Sequence, residues 1–278
     1  MIPVLVVALT AVSAAAVLVR LAPDVHPIAA ALWRTLAVGL LLAPGIRRVP
    51  RRDGLLILLA GACLAAHFWA WFASLHLTSV VRSTVLVCLN PIWAGLLEWR
   101  LGERPERHFW IGVGVAVIGV AVMSGVDGGG GLVGDGLALL GGVLGAVYLV
   151  VGRGVRQRVS IRTYGPLLCL AAAGWLALAA AATGAPLWGF SPTEWGLLAA
   201  MALGPQLLGH IGLNYAVGYV PAAIVSALLL LEPVGAGLLA WVALGEAPGR
   251  YEALGGGIIL VGIGVVTLAG LLGSRSRT

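Results

Sequence analysis

The sequence predicts an all-α polytopic membrane protein of ten transmembrane helices arranged as two inverted five-helix repeats. Three observations carry that prediction: apolar runs long enough to cross a bilayer, a one-sided distribution of arginine, and a motif that recurs at a fixed offset. Of 278 residues, 60% are hydrophobic and 10% charged, with a mean hydropathy of +1.03, whereas soluble domains carry about 25% charged residues. Water is not the solvent for most of this chain.

Crossing the hydrocarbon core takes roughly 17 to 25 apolar residues. Such runs are read at 2–21, 27–43, 54–75, 80–99 and 108–123, and again at 134–151, 164–182, 193–213, 221–244 and 253–271. The first resembles a signal peptide only in its apolarity. Met1-Ile2-Pro3 supplies no positive flank and nothing downstream reads as a soluble domain, so a retained helix is expected. Cys63, Cys88 and Cys169 each fall inside a predicted span, with no spacing suited to a metal site or a redox pair.

A net charge of +6 would suggest nucleic acid for a soluble protein, but topology explains it here. All 17 basic residues are arginine. With a cytoplasmic N-terminus, Arg47, Arg48, Arg51, Arg52, Arg100, Arg104, Arg107, Arg153, Arg156, Arg158, Arg162, Arg275 and Arg277 fall inside, against Arg20 and Arg250 outside. That asymmetry assigns both termini to the cytoplasm.

Leu101-Gly102-Glu103-Arg104-Pro105-Glu106-Arg107 recurs as Leu244-Gly245-Glu246-Ala247-Pro248-Gly249-Arg250, 143 residues later. Gly112, Gly114 and Gly119 fall on Gly255, Gly257 and Gly262 at the same offset, and Pro91 falls on Pro233 at 142. Self-similarity of this kind decides the architecture. The expected units are 1–125 and 126–278, one five-helix repeat each, forming a single integrated transmembrane domain. An odd number of spans per unit inverts the second relative to the first, an arrangement common in secondary transporters. The junction at Gly128 to Gly131 lacks the Gly-Lys-Ser/Thr ending of a phosphate loop and reads as an external linker.

Ionisable and amide groups at membrane depth are costly and mark cavities or pathways. Those present are Arg34, His67, Asn90, Gln206, His210 and Glu232. His67 and His210 stand 143 residues apart, the repeat offset, which makes them counterparts across a pseudo-twofold axis. Trp71 lies one turn from His67 on the same helical face, and Trp33 precedes Arg34. Asn90-Pro91 and Glu232-Pro233 set a polar side chain before a helix-breaking proline, which frees a carbonyl one turn earlier. Glu232 reads either as a titrating group or as the ion-pair partner of Arg34. The glycines of the fifth, sixth and tenth spans read as close-packing surfaces.

Arg34 in the second span, Pro91, Pro233 and the repeated Leu-Gly-Glu-x-Pro before a glycine-rich closing helix resemble the EamA-type transporters of the drug/metabolite transporter superfamily. The resemblance implies a ten-helix bundle moving small metabolites through a central cavity. A bacterial inner membrane is the expected location, with no cofactor, metal or nucleic-acid partner expected, and the oligomeric state, a monomer among the options, is left open by the sequence. Within that superfamily, His67 with aromatic neighbours is similar to exporters of aromatic and other apolar amino acids, and Tyr148 joins the cavity by that likeness. The expected substrate-binding residues are His67, Trp71, Asn90, Tyr148 and His210. Glu232, Arg34, Pro91 and Pro233 are expected to couple or gate. A drug, sugar or polyamine is the alternative substrate; a membrane enzyme has no motif to support it.

Overall fold

The computed structural model describes residues 1–78, 83, 86–123, 131–244 and 249–275. Helix accounts for 83% of the chain, and no strand occurs among the described residues. The first half holds α1 (Ile2–Ser13), α2 (Ala15–Arg20), α3 (Pro27–Leu42), α4 (Arg51–Leu77), α5 (Asn90–Arg100) and α6 (Arg107–Met123). In the second half come α7 (Leu132–Arg156), α8 (Ile161–Thr183), α9 (Pro192–Met201), a π-helical stretch (Ala202–His210) and α10 (Ile211–Ala216). They are followed by α11 (Ala222–Leu228), a 3-10 turn (Leu229–Leu231), α12 (Glu232–Leu244) and α13 (Arg250–Arg275).

Seven helical stretches are long and apolar enough to cross a membrane: Ile2–Arg20, Pro27–Gly45, Arg51–Leu77, Leu132–Arg156, Ile161–Thr183, Pro192–Ala216 and Ala222–Leu239. Arg107–Val122 and Ala253–Thr267 are shorter apolar helices. The fourth expected span begins on residues outside the described set, and its described part is residue 83, residues 86–89 and α5. The Gly128 to Gly130 part of the expected linker and Glu246 also lie outside it. Outward faces expose large apolar side chains such as Leu40, Leu58, Ile118, Leu178 and Val261, which lipid, unlike water, solvates without penalty.

Prolines set the irregularities. Pro205 offers no N–H to the Met201 carbonyl, and the chain widens there into the π-helical stretch that ends at His210. Pro91 likewise leaves the Val87 carbonyl free; the chain turns at Cys88 and Leu89, and that carbonyl packs on Gly142, where a Cβ would come within 2.9 Å of it. Ahead of Pro233 the Leu229–Leu231 turn forms, and the Glu232 N–H donates to the Leu229 carbonyl.

Packing pairs the halves. Helix α6 lies along α13, with Gly112 against the Gly262 carbonyl and Gly119 against the Gly255 carbonyl, at 2.6 and 2.7 Å from the position of an added Cβ. Two other principal pairings are α4 with α7 and α1 with the π-helical stretch, and α3 packs on α8. One end of the bundle is tied by polar contacts. Arg158 Nη2 reaches Asp53 at 2.6 Å and Arg153 Nη2 reaches Glu103 at 2.7 Å. The buried Glu98 carboxylate accepts from the Ala222 and Ala223 amides at 2.7 and 3.1 Å. At the other end Trp33 packs on Trp188 and Trp195, with ring centroids 4.6 and 5.2 Å away.

Candidate functional site

A narrow central cavity of ≈ 30 Å³ gathers His67, Trp71, Asn90, Tyr148, His210 and Glu232 into one lining, with Val12, Ala15, Cys88, Gly145 and Leu229 among the remaining walls. His67 and Trp71 come from α4, Asn90 from the start of α5, Tyr148 from α7, His210 from the end of the π-helical stretch and Glu232 from the start of α12. The two halves therefore contribute to a single site.

The imidazoles are held in defined orientations. His67 Nδ1–H donates to the Gly141 carbonyl at 2.7 Å, which leaves Nε2 of the neutral ring as an acceptor. Gly145, one turn on from Gly141, makes room for this ring, since a Cβ there would sit 3.0 Å from Nδ1. His210 Nδ1 and the Tyr148 hydroxyl share a hydrogen bond of 3.0 Å, and Asn214 Nδ2 donates to the His210 carbonyl at 2.7 Å. Trp71 stacks at 24° to the His67 ring, with centroids 6.1 Å apart. Its Nε1–H and Asn90 Oδ1 are buried and have no hydrogen-bond partner among the described residues. Buried polar atoms are nearly always paired, so these two are available to a guest.

Arg34 stands behind the cavity wall. Its guanidinium lies 4.3 Å above the Phe68 ring, and Phe68 in turn meets His210 edge-on at 4.9 Å. Arg34 Nε donates to Gln206 Oε1 at 3.1 Å, while Nη1 and Nη2 have no partner among the described residues. Of the two readings of Glu232, the direct pair with Arg34 is not formed in this conformation: no described carboxylate lies within ion-pair distance of the guanidinium, which meets Gln206 and the Phe68 face. Trp33 is likewise placed away from the cavity, with its indole N–H on the Leu187 carbonyl at 2.8 Å.

Phe68 escaped the sequence reading, although it follows His67 in an aromatic-rich run; only its position between Arg34 and His210 gives it meaning. Among the described residues, no group of three or more His, Cys, Asp or Glu side chains is placed to hold a metal ion. A second recess, near Glu98, Glu103 and Pro221, has those carboxylates committed to the Ala222 and Ala223 amides and to Arg153.

Comparison with known proteins agrees with this architecture. The EamA-like transporter family matches residues 1–125 and 132–268. The uncharacterized transporter YwfM of Bacillus subtilis (strain 168) is 28% identical over 276 residues, covering 90% of this chain and 87% of that protein. A 62-residue stretch, 22% of this chain, is 29% identical to the probable 4-amino-4-deoxy-L-arabinose-phosphoundecaprenol flippase subunit ArnE of Klebsiella pneumoniae (strain 342), and covers 55% of that protein. A solved crystal structure superposes with a TM-score of 0.80 at 25% identity, over 99% of this chain and 98% of the other. With nearly the whole chain matched by the family and a helical bundle built to cross a membrane, the chain belongs to the EamA-like transporter family.

Proposed function

We propose that this transporter exports small amphipathic metabolites, aromatic or other apolar amino acids foremost, by alternating access through the central cavity. The observation that carries the reading is the joint lining of that cavity by His67, Trp71, Asn90, Tyr148 and His210. Neutral imidazole both donates and accepts hydrogen bonds, and the rings beside it suit an apolar side chain. A polyamine would call for several carboxylates; of the lining residues only Glu232 is one. Sugar and drug substrates are the remaining alternatives.

Two units, 1–125 and 126–278, ten spans and an inverted relation between the units complete the proposal. Support comes from reciprocity. Gly112 meets Gly262 and Gly119 meets Gly255, so each contact maps onto the other under the 143-residue offset, as a twofold relation requires. The pairing of α4 with α7 maps in the same way onto that of α1 with the π-helical stretch, and α5 with α7 onto α12 with α1. Pro91 and Pro233, at the broken fourth and ninth spans, are the proposed hinges, and Arg34 and Glu232 the proposed gating charges. The bacterial inner membrane, with both termini cytoplasmic, is the proposed location.

Proteoliposomes containing only the purified protein test the function. Efflux of preloaded phenylalanine or tryptophan well above that of protein-free vesicles is expected. Flux of a sugar or drug with none of either amino acid would replace the substrate, and no flux of any solute would refute transport.

A further inference from the structure

The cavity lining holds polar groups without partners. At the broken ends of the two repeat-related spans stand Asn90 and Glu232, 142 residues apart, and both line the cavity. Cys88 Sγ, 4.0 Å from the Leu229 carbonyl, joins the two breaks. The pair differs in charge: one position has an amide and the other a carboxylate. No hydrogen bond or ion pair reaches the Glu232 carboxylate among the described residues, and Asn90 Oδ1 is buried without a donor. Both groups accept, and neither has a donor.

Helix geometry does not resolve this. Glu232 opens α12, and the dipole of a helix end offsets only a fraction of the cost of withdrawing a carboxylate from water, so a full positive charge is still wanted. Arg34 is held on Gln206 and the Phe68 face. The same lining also offers a donor, the unpartnered Trp71 Nε1–H.

We propose that Glu232 and Asn90 form an ammonium subsite, and that Trp71 Nε1–H faces the acceptor end of the same guest, so that the site selects a primary amine with a polar acceptor and an apolar side chain. The inference rests on the transport reading above and adds to it the group that is recognised. Glu232 takes a proton-bearing nitrogen in place of the arginine, and Asn90 Oδ1 accepts a second N–H from the same nitrogen.

Isothermal titration calorimetry on the purified full chain in detergent tests this with three ligands: L-phenylalanine, L-phenylalaninamide, which keeps the amine, and 3-phenylpropionate, which lacks it. The two amines are expected to bind at least tenfold more tightly than 3-phenylpropionate. Glu232→Gln, checked for folding by gel filtration, is expected to weaken both amines by tenfold or more and leave 3-phenylpropionate unchanged. Asn90→Asp combined with Glu232→Gln moves the carboxylate to the repeat-related position, and amine binding is expected to recover in part. Equal binding of phenylalanine and 3-phenylpropionate by the wild type overturns the subsite, as does full amine affinity in a folded Glu232→Gln protein. Binding of none of the three overturns it too, and proteoliposome flux then decides separately whether the transport reading survives.

Discussion

His67 and His210 both line the cavity, with ring centroids 6.4 Å apart, although 143 residues separate them in the chain. Each ring is oriented by a partner from α7: the Gly141 carbonyl for His67 and the Tyr148 hydroxyl for His210. One helix thus sets both imidazoles, so small shifts of α7 during transport would move the two together.

Leucine at either histidine keeps volume and removes the polar atoms. We expect His67→Leu or His210→Leu to lower transport at least tenfold while leaving membrane insertion within twofold, and phenylalanine or tryptophan to shield cysteines placed at these positions from a small thiol reagent. Flux assays beside immunoblots of membrane fractions measure both. Normal flux in a folded double leucine variant would end the role assigned to the pair. Tyr148→Phe with His210→Leu should show a coupling of about 0.5–1.5 kcal/mol in a double-mutant cycle, the usual net worth of one hydrogen bond.

Gln206 is predicted to matter through Arg34. Its Oε1 accepts the sole hydrogen bond of that guanidinium among the described residues, and its Nε2 lies 3.4 Å from Cys169 Sγ. Gln206→Leu strands a buried cation, and a loss of about 1–3 kcal/mol is expected, read as a lower thermal midpoint in detergent. Gln206→Glu supplies a counter-charge and is expected to restore or exceed wild-type stability. An unchanged midpoint for the leucine variant would mean that the Phe68 face alone satisfies Arg34.

Much of this was legible in the sequence because the costs are large and local. Membrane-depth polar groups are scarce, so His67, Asn90, His210 and Glu232 stood out, and the cavity gathers all four. Tyr148 came from resemblance alone, since a tyrosine in an apolar run is unremarkable until its hydroxyl meets His210. Arg34 is left open by the sequence: charge arithmetic offers Glu232 as one partner, whereas the fold sets Gln206 and an aromatic face against the guanidinium, neither of which a residue count can rank. The π-helical stretch was illegible too. Pro205 announces a disturbed helix but not the direction in which the hydrogen bonds shift.

The glycines of α6 give a test within one helix. A Cβ on Gly119 would lie 2.7 Å from both the Gly255 carbonyl and the Ile259 amide, whereas a Cβ on Gly114 meets nothing within 4 Å. Backbone atoms cannot move aside as side chains can, and overpacking costs about 1–3 kcal/mol. Gly119→Leu is therefore expected to lower the thermal midpoint and the yield of monodisperse protein, with Gly114→Leu close to wild type. Equal effects from both would show that α6 does not pack on α13 as described.

The proposed orientation rests on where the arginines gather. Arg47, Arg48, Arg51 and Arg52 are exposed beside the start of α4, near the tie between Asp53 and Arg158, while Trp188 and Tyr219 mark opposite ends of the bundle as exposed aromatics. Arginine is retained on the cytoplasmic side of short loops, so a single cysteine at Arg51, in a chain with Cys63, Cys88 and Cys169 replaced, should resist a membrane-impermeant maleimide in intact cells and react after permeabilisation. A cysteine at Trp188, in the loop between α8 and α9, should react in both. The ratio of labelling before and after permeabilisation is the measurement, and a clear reversal between the two sites would invert the assigned topology. Labelling of Arg51→Cys in intact cells would also place the end of the bundle tied by Asp53 and Arg158 outside, and so reverse the direction in which the cavity must open to export its substrate.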